Sequence, residues 1–192
     1  MIRPEAVAVI LLAAGLSSRF GPRDKLAVPI DGLPLGLHAA RMLAPLPFAR
    51  KVAVTAANGP DFAAYGFTAI VNRDPAAGQS GSIRLGLAEA RTAQPQAVLI
   101  ALADMPFVPV AHIHALLARF GGNKVVASTD GYRPGPPALF DASFWPILEG
   151  LSGDSGARAL LRDARLVSAS PAELADIDTP LDLPSSATDS NP

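Results

Sequence analysis

The first residues able to do chemistry sit in LLAAGLSSRFGPRDKL (11–26), where Gly15, Ser17, Ser18, Arg19 and Lys25 follow an apolar run. Exposed backbone N–H groups near the glycine, a fork-shaped guanidinium and a point-charge ammonium make a chemically sensible triphosphate cradle. The same residues also describe an ordinary strand-to-helix loop with solvated charges. Neither common glycine loop fits. A Walker loop closes on Gly-Lys-Ser/Thr, whereas Lys25 stands between Asp24 and Leu26; a dinucleotide fingerprint needs GxGxxG, whereas Gly15 and Gly21 have five residues between them.

Further along, Asp104 closes the apolar run AVLIALAD (97–104) and precedes Met105-Pro106. A carboxylate there is either a structural cap or a metal ligand aimed into a crevice. The strand-end position and the proline, which holds Met105 extended, favour the crevice. Asp176 and Asp178 form a second acidic pair, readable also as an N-cap in which Asp178 or Thr179 precedes Pro180. The loop NRDPAAGQSGSIRLGL (72–87) offers Asn72, Gln79 and bare N–H groups at a helix start, which suit a base edge, ribose or anion. Ser80 or Ser82 could equally cap that helix. In GDSGARALL (153–161), Asp154 or Ser155 reads as a cap, with Arg158 a turn later as a phosphate contact or a surface residue. His38, His112 and His114 share no metal-binding spacing and read as surface or structural residues, and Trp145 as core or interface.

These groups must be held by something, and the apolar runs say what. VAVILLAA (7–14), KVAVTA (51–56), FTAIV (67–71), AVLIALAD and KVVAST (124–129) are continuous rather than alternating, as strands buried on both faces are. Between them, 35–43, 82–93 and 110–120 have helical spacing, with Pro34 and Pro109 near first turns and Gly121-Gly122 after a last one. Alternation of strand and helix predicts an α/β fold with a mostly parallel sheet and helices on both faces. Ligands of such sheets lie outside the carboxyl ends of the strands, where residues 13–25 and Asp104 fall. After residue 130, RPGPPALF (133–140) reads as a turn into a strand, 143–151 and 155–164 as short helices, and 165–170 as a late strand. The expected organisation is one domain over 1–183 and a disordered tail over 184–192.

Composition narrows the partners. Sixteen basic against seventeen acidic residues give a net charge of −1, so no global field favours nucleic acid or an anionic membrane surface. The absence of cysteine removes disulfides, thiolate catalysis and the common zinc patterns, leaving hard oxygen ligands for any metal. The amino-terminal apolar stretch is closed by Arg19 well short of a membrane span and reads as a buried strand, so a cytoplasmic protein acting on small molecules is expected.

LLAAGLSSRFGPRDKL, NRDPAAGQSGSIRLGL, LADMPFV, RPGPPALF, GDSGARALL and DIDTPLDL, in this order over about residues 6–183, together resemble the MobA-like NTP transferases that act on the molybdenum cofactor, and most closely their cytidylyltransferase branch. The resemblance implies a three-layer α/β/α sandwich of the nucleotide-diphospho-sugar transferase type, Rossmann-like in outline. It implies transfer of a nucleotidyl group from an NTP to a phosphate, with Mg²⁺ and release of pyrophosphate. Leu12, Ala13, Ala14, Gly15, Leu16, Ser17 and Ser18 would wrap the nucleotide, with Arg19 and Lys25 on the triphosphate as catalytic cations. Asn72, Gly78, Gln79, Ser80 and Ser82 would lie by the base and ribose, and Asp104 and Asp178 match the Mg²⁺ ligands. The LAAG form at 12–15 is associated with cytosine, which makes CTP the expected donor. Two positions depart from the family pattern. Phe20 replaces a common Met, which reads as packing, and Pro136 replaces the usual His or Asn on the acceptor side.

The expected reaction is in-line attack by a phosphomonoester oxygen of molybdopterin, or its metallated form, on the α-phosphorus of CTP. An ionised phosphate needs no strong base, so positioning and charge stabilisation dominate. Lys25→Ala is expected to lower turnover far more than it unfolds the protein. Alternatives are a nucleotidyltransferase for a sugar or polyol phosphate, or a non-catalytic chaperone delivering the cofactor to a molybdenum hydroxylase. An oxidoreductase is disfavoured by the missing GxGxxG.

Overall fold

In this computed structural model all residues are described except 16–19, 21–23, 122–123, 154–156 and 185–192, together with the side chains of Ala77 and Arg158. The first apolar run shows how the architecture arises. Strand β1 (Val7–Ala13) is buried along its whole length. Its residues divide by parity: Val7, Val9, Leu11 and Ala13 enter one core, while Ala8, Ile10 and Leu12 enter another. Successive side chains of a strand point to opposite faces, so a run apolar at every position has to lie inside a sheet covered on both sides.

A minimal hairpin follows, β2 (Pro29–Ile30) and β3 (Leu33–Pro34), then helix α1 (Leu35–Leu43) and strand β4 (Arg50–Thr55). Asp31 and Gly32 both take positive φ at the hairpin turn, the backbone that an Asp-Gly pair tolerates best. Beyond lie β5 (Thr68–Val71), α2 (Gln79–Ala90), β6 (Ala97–Leu102), α3 (Val110–Arg119), β7 (Val125–Thr129), β8 (Pro134–Asp141), α4 (Trp145–Glu149) and β9 (Arg165–Ser168). The seven-stranded sheet runs β5-β4-β1-β6-β8-β7-β9. It is parallel except at β8, which lies antiparallel between β6 and β7. Helices α1 and α3 cover the first core, α2 and α4 the second, giving the expected three layers. No helix among the described residues is long and apolar enough to cross a membrane.

Several boundaries differ from the sequence expectation. The first strand ends at Ala13 rather than residue 14, and β6 ends at Leu102, leaving Asp104 two residues beyond the ladder. Helix α2 begins at Gln79, three residues earlier than its apolar spacing suggests, because the helix start at Gly78 needs no apolar partner. Over 155–164, where a helix is expected, the described residues make only a 3-10 turn at Arg158–Leu161. The expected tail, from residue 185 on, lies outside the described residues.

The antiparallel strand carries an irregularity that shapes the site. Ala127 faces Ala138 but Ser128 faces Gly135, so Pro136 and Pro137 bulge from β8. Prolines have no N–H to give to a ladder, and a bulge is where a sheet tolerates them. Ser128 Oγ donates to the Pro137 carbonyl at 2.7 Å, and His112 Nε2 lies 2.8 Å from the same hydroxyl. Since the hydroxyl proton is spent on Pro137, the imidazole has to be the donor in its bond, with its proton on Nε2.

Candidate active site

Asp24 sets the chain entering the site. Its carboxylate accepts from Leu26 N at 3.0 Å and caps a 3-10 turn over Lys25–Ala27, while Leu26 enters the first core. With Leu26 anchored and the turn capped, Lys25 points along the carboxyl edge of the sheet. Two other segments meet it there. Ala103 N bonds to Leu12 O at 3.0 Å, tying the end of β6 to β1, and Ile177 N bonds to Asp104 O at 2.9 Å, tying the 176–178 segment to the same edge. Thr179 opens the following turn: Asp178 N, Thr179 N and Thr179 Oγ1 all donate to Asp182 Oδ2. Thr179, not Asp178, is therefore the cap, which leaves the Asp178 carboxylate for Lys25.

Lys25 Nζ donates to Asp104 Oδ2 at 2.7 Å, to the Ile177 carbonyl at 3.0 Å and to Asp178 Oδ1 at 3.1 Å. The Lys25, Asp104 and Asp178 side chains are 10%, 21% and 31% exposed. Burial works against the ammonium, but the charge and hydrogen bond of Asp104, with those of Asp178, outweigh it and hold the Lys25 pKa above the usual lysine value. Burial also pushes the Asp104 carboxyl above the usual aspartate range; Lys25 draws it back only in part, and nearby Asp176 adds to the rise. Asp104 Oδ1 is buried and has no hydrogen-bond partner among the described residues.

The donor set suits a hard divalent cation. Three oxygens, two of them carboxylate, converge on one point, and a further carboxylate oxygen is buried without a partner among the described residues. Among the described residues no cluster of three or more His, Asp or Glu forms, so an ion here would complete its shell with water and phosphate, as Mg²⁺ commonly does.

The second polar segment is built differently from its sequence reading. Asn72 and Ser82 are buried, and Asn72 Nδ2 donates to Ser82 Oγ at 3.0 Å while Asn72 Oδ1 accepts from Asp74 N at 2.9 Å. Neither serine is the N-cap of α2: that position is Gly78, with φ 75°. Ser80 is fully buried in the first turn, whereas Gln79 lines an open cavity. The structure thus ties Asn72 to Ser82 as a brace for the loop and leaves Gln79 facing the cavity, while Gly78 N donates to Pro75 O at 3.1 Å.

That cavity, of about 670 Å³, lies between the start of α2, the end of β6, the start of β8 and residues 157–162. Ile83, Ile100, Ala138 and Phe140 make it apolar, and Pro134, Gly135 and Pro136 form the β8 side. Leu102 also lines it and packs against both cores, two residues before Asp104. Arg162 joins Gln79 as its polar lining, a residue that no motif in the sequence singled out. The Ile177 carbonyl is the other contributor missed in sequence, since a backbone acceptor leaves no residue-type signal.

In the opening loop, Leu12, Ala13 and Ala14 are buried at the end of β1 and Gly15 is exposed. Phe20 packs against the first core, as its reading as a packing residue expects. Leu16, Ser17, Ser18 and Arg19 lie outside the described residues, as do Asp154, Ser155 and the Arg158 side chain. Two histidines are structural and the third is on the surface: His38 Nε2 lies 3.0 Å from Ile30 O and 3.2 Å from Leu33 O at the small hairpin, His112 supports the bulge, and His114 is exposed. Trp145 is buried in the second core, with the Arg91 guanidinium 5.2 Å from its ring centre.

A mostly parallel sheet with an antiparallel β8 gives this chain the α/β fold of the nucleotide-diphospho-sugar transferase type, with a Lys–Asp–Asp centre at its carboxyl edge. The chain belongs to the MobA-like NTP transferase domain family, whose model matches residues 9–170. It is similar to the purine catabolism protein PucB of Bacillus subtilis (strain 168), at 31% identity over 188 residues that cover 89% of this chain and 91% of PucB. Among solved structures, the inositol-1-phosphate CTP transferase of T. maritima shares the fold with a TM-score of 0.74 at 14% identity, over 96% of this chain and 94% of that one. Molybdopterin-guanine dinucleotide biosynthesis protein A of Archaeoglobus fulgidus does so with a TM-score of 0.63 at 20% identity, over 92% and 94%.

Proposed function

We propose that this protein transfers CMP from CTP to the phosphate of a molybdopterin-type acceptor and releases pyrophosphate. The observation that carries the reading is the convergence of Asp104 and Asp178 on one buried cation position at the carboxyl edge of the sheet. Membership of the family supports nucleotidyl transfer, and Leu12-Ala13-Ala14-Gly15 supports cytosine over guanine. PucB is named for purine catabolism, and purine oxidation is a reaction of molybdenum hydroxylases, which supports such an enzyme or its chaperone as the receiving partner, in the cytoplasm.

An acceptor phosphate oxygen attacks the α-phosphorus in line. The new P–O bond forms as the bond from the α-phosphorus to the bridging oxygen breaks, and pyrophosphate leaves with that electron pair. The chain's task is to bring anions together and hold them in line. The backbone of Ala13–Gly15 and the start of α2 at Gly78, with Gln79, flank the nucleotide, and Asn72 and Ser82 brace the loop between them. Arg19 and Lys25 balance charge on the departing pyrophosphate, a role in which preorganised cations supply several kcal/mol. Asp104 and Asp178 would hold Mg²⁺, which supplies charge neutralisation between phosphates. The apolar cavity lined by Pro136 and Arg162 suits the body of a flat heterocyclic acceptor whose phosphate points to the sheet edge.

The test is pyrophosphate release with each NTP, Mg²⁺ and molybdopterin. CTP with molybdopterin is expected to support release, and Lys25→Ala to lower it by about a hundredfold or more, as loss of a positioned charge-stabilising group does. Release only with a sugar or polyol phosphate would reassign the acceptor. No release with any NTP would favour a cofactor-delivering chaperone, the reading that Pro136 in place of a polar residue supports.

A further inference from the structure

Lys25 spends its three ammonium protons on three oxygens drawn from two segments that are not neighbours in sequence. The geometry around Nζ is that of a cation site already filled by a cation. Asp104 and Asp178 each turn one oxygen toward the same ammonium, at 2.7 and 3.1 Å, and a positive centre at that point offsets the repulsion between the two carboxylates. A divalent ion would use those oxygens at about 2.0–2.6 Å, inside the N···O distances of the ammonium. Ammonium and metal would then share ligands across a few ångströms, in surroundings where like charges are poorly screened. One has to leave when the other arrives, and a buried ammonium leaves only toward another anion.

We infer that Lys25 is the resident counter-ion of the Asp104–Asp178 pair: it keeps free divalent metal out and yields when metal arrives with an anionic nucleotide, whose phosphates then receive the ammonium. The identity of that anion rests on the nucleotidyl transfer reading; the competition between ammonium and metal does not. Metal and nucleotide are thereby coupled through one side chain, and each tightens the other by the same factor. The rival role for Lys25 is a passive clamp that only ties the 176–178 segment to the end of β6. A clamp and a counter-ion predict opposite effects of its removal on metal affinity, because carboxylates freed from a clamp spread apart, whereas carboxylates freed from a competitor bind metal.

The experiment is titration of the full chain with Mn²⁺ alone, followed by electron paramagnetic resonance of the free ion, for wild type, Lys25→Met and Lys25→Gln. Both variants are expected to bind Mn²⁺ about tenfold or more tightly than wild type, within the usual range of coupling between sites. Mn²⁺ should also raise their melting temperatures more than that of wild type. Adding CTP should tighten Mn²⁺ binding in wild type and narrow its gap to the variants. Unchanged or weaker Mn²⁺ binding in the variants overturns the inference. If neither variant folds, with or without Mn²⁺, the wild-type arm decides, run with each NTP in turn and corrected for the Mn²⁺ that the nucleotide holds in solution: Mn²⁺ bound as tightly without any NTP as with one overturns the inference, and binding that depends on an NTP supports it. No acceptor or turnover enters these measurements, so inactivity in the pyrophosphate assay leaves their outcome readable.

Discussion

At the scale of single residues, Lys25 has two tasks whose removal will be felt in two measurements. The sequence reading expects Lys25→Ala to harm turnover far more than folding. Its burial between two carboxylates changes that balance, because deleting one partner of such a group leaves unpaired buried charge, at a cost of about 3–5 kcal/mol when burial is complete. The exposure of Asp104 and Asp178 softens the penalty here, so a loss nearer about 1–3 kcal/mol is expected. Urea unfolding of Lys25→Ala beside wild type measures it, and an unchanged midpoint would show the ion cluster to be energetically idle. Ser128 offers a neutral counterpart. Ser128→Ala strips the His112 N–H and the Pro137 carbonyl of their shared partner, and about 1–3 kcal/mol should be lost, since buried polar groups left unpaired keep their desolvation cost. Calorimetric melting of the variant reads that loss directly.

Among the elements, α2 joins core and site most tightly. Its start presents Gly78 and Gln79 to the carboxyl edge, while Ile83, Leu87 and Ala90 pack on β1 and β4 in the second core. The approach is close at Gly86, where an added Cβ would lie 2.5 Å from Ile10 Cγ2 and 3.1 Å from Ile10 Cδ1. Ile10 is fully buried and its γ2 methyl is attached directly to a strand Cβ, so it has nowhere to turn. Gly86→Ala should therefore destabilise by about 1–2 kcal/mol, overpacking outweighing the gain of up to about 1 kcal/mol that alanine brings to a helix interior. Chemical denaturation measures the sign, and a stabilised variant would mean that α2 can lift from the sheet at little cost. Lifting would also displace the loop that Asn72 and Ser82 brace, so reduced nucleotide affinity should accompany the stability loss.

Across the whole molecule, stability should depend on pH through a buried group outside the Lys25–Asp104–Asp178 cluster. His112 is buried, and desolvation lowers its pKa below the ordinary 6.5, with Glu173 opposing the shift only in part. A base whose folded pKa is depressed takes up its proton more readily when unfolded. Its contribution is thus present above pH 6.5 and is lost as pH falls from there through the folded value. Thermal midpoints measured from pH 7.5 down to about 5 should fall for wild type, and the slope should flatten in His112→Gln. Equal slopes for the two proteins would place the pH dependence elsewhere.

Much of this was legible without coordinates, and the reason is local. Runs such as VAVILLA are apolar at every position, and period-2 geometry then leaves only a strand covered on both faces; repeated between helical segments, that dictates the layered sheet. Gly15 and Asp104 could be singled out because their residue types interrupt those runs where strands end, Lys25 as a cation in the glycine loop, and Asp178 as one of an acidic pair that the family resemblance matched to the metal ligands. What the chain alone could not decide is how the polar groups are spent, because that depends on which segments meet. Whether Asn72 and Ser82 face a ligand or each other is invisible in NRDPAAGQSGS, since either use needs the same residue types. The Ile177 carbonyl and Arg162 carry no motif at all. Lys25 is the clearest case: its charge and its place after Asp24 are sequence facts, but its partners lie 79 and 153 residues away. Only the tertiary structure, by fastening the ends of β1 and β6 and the 176–178 segment together, makes it the counter-ion of two carboxylates.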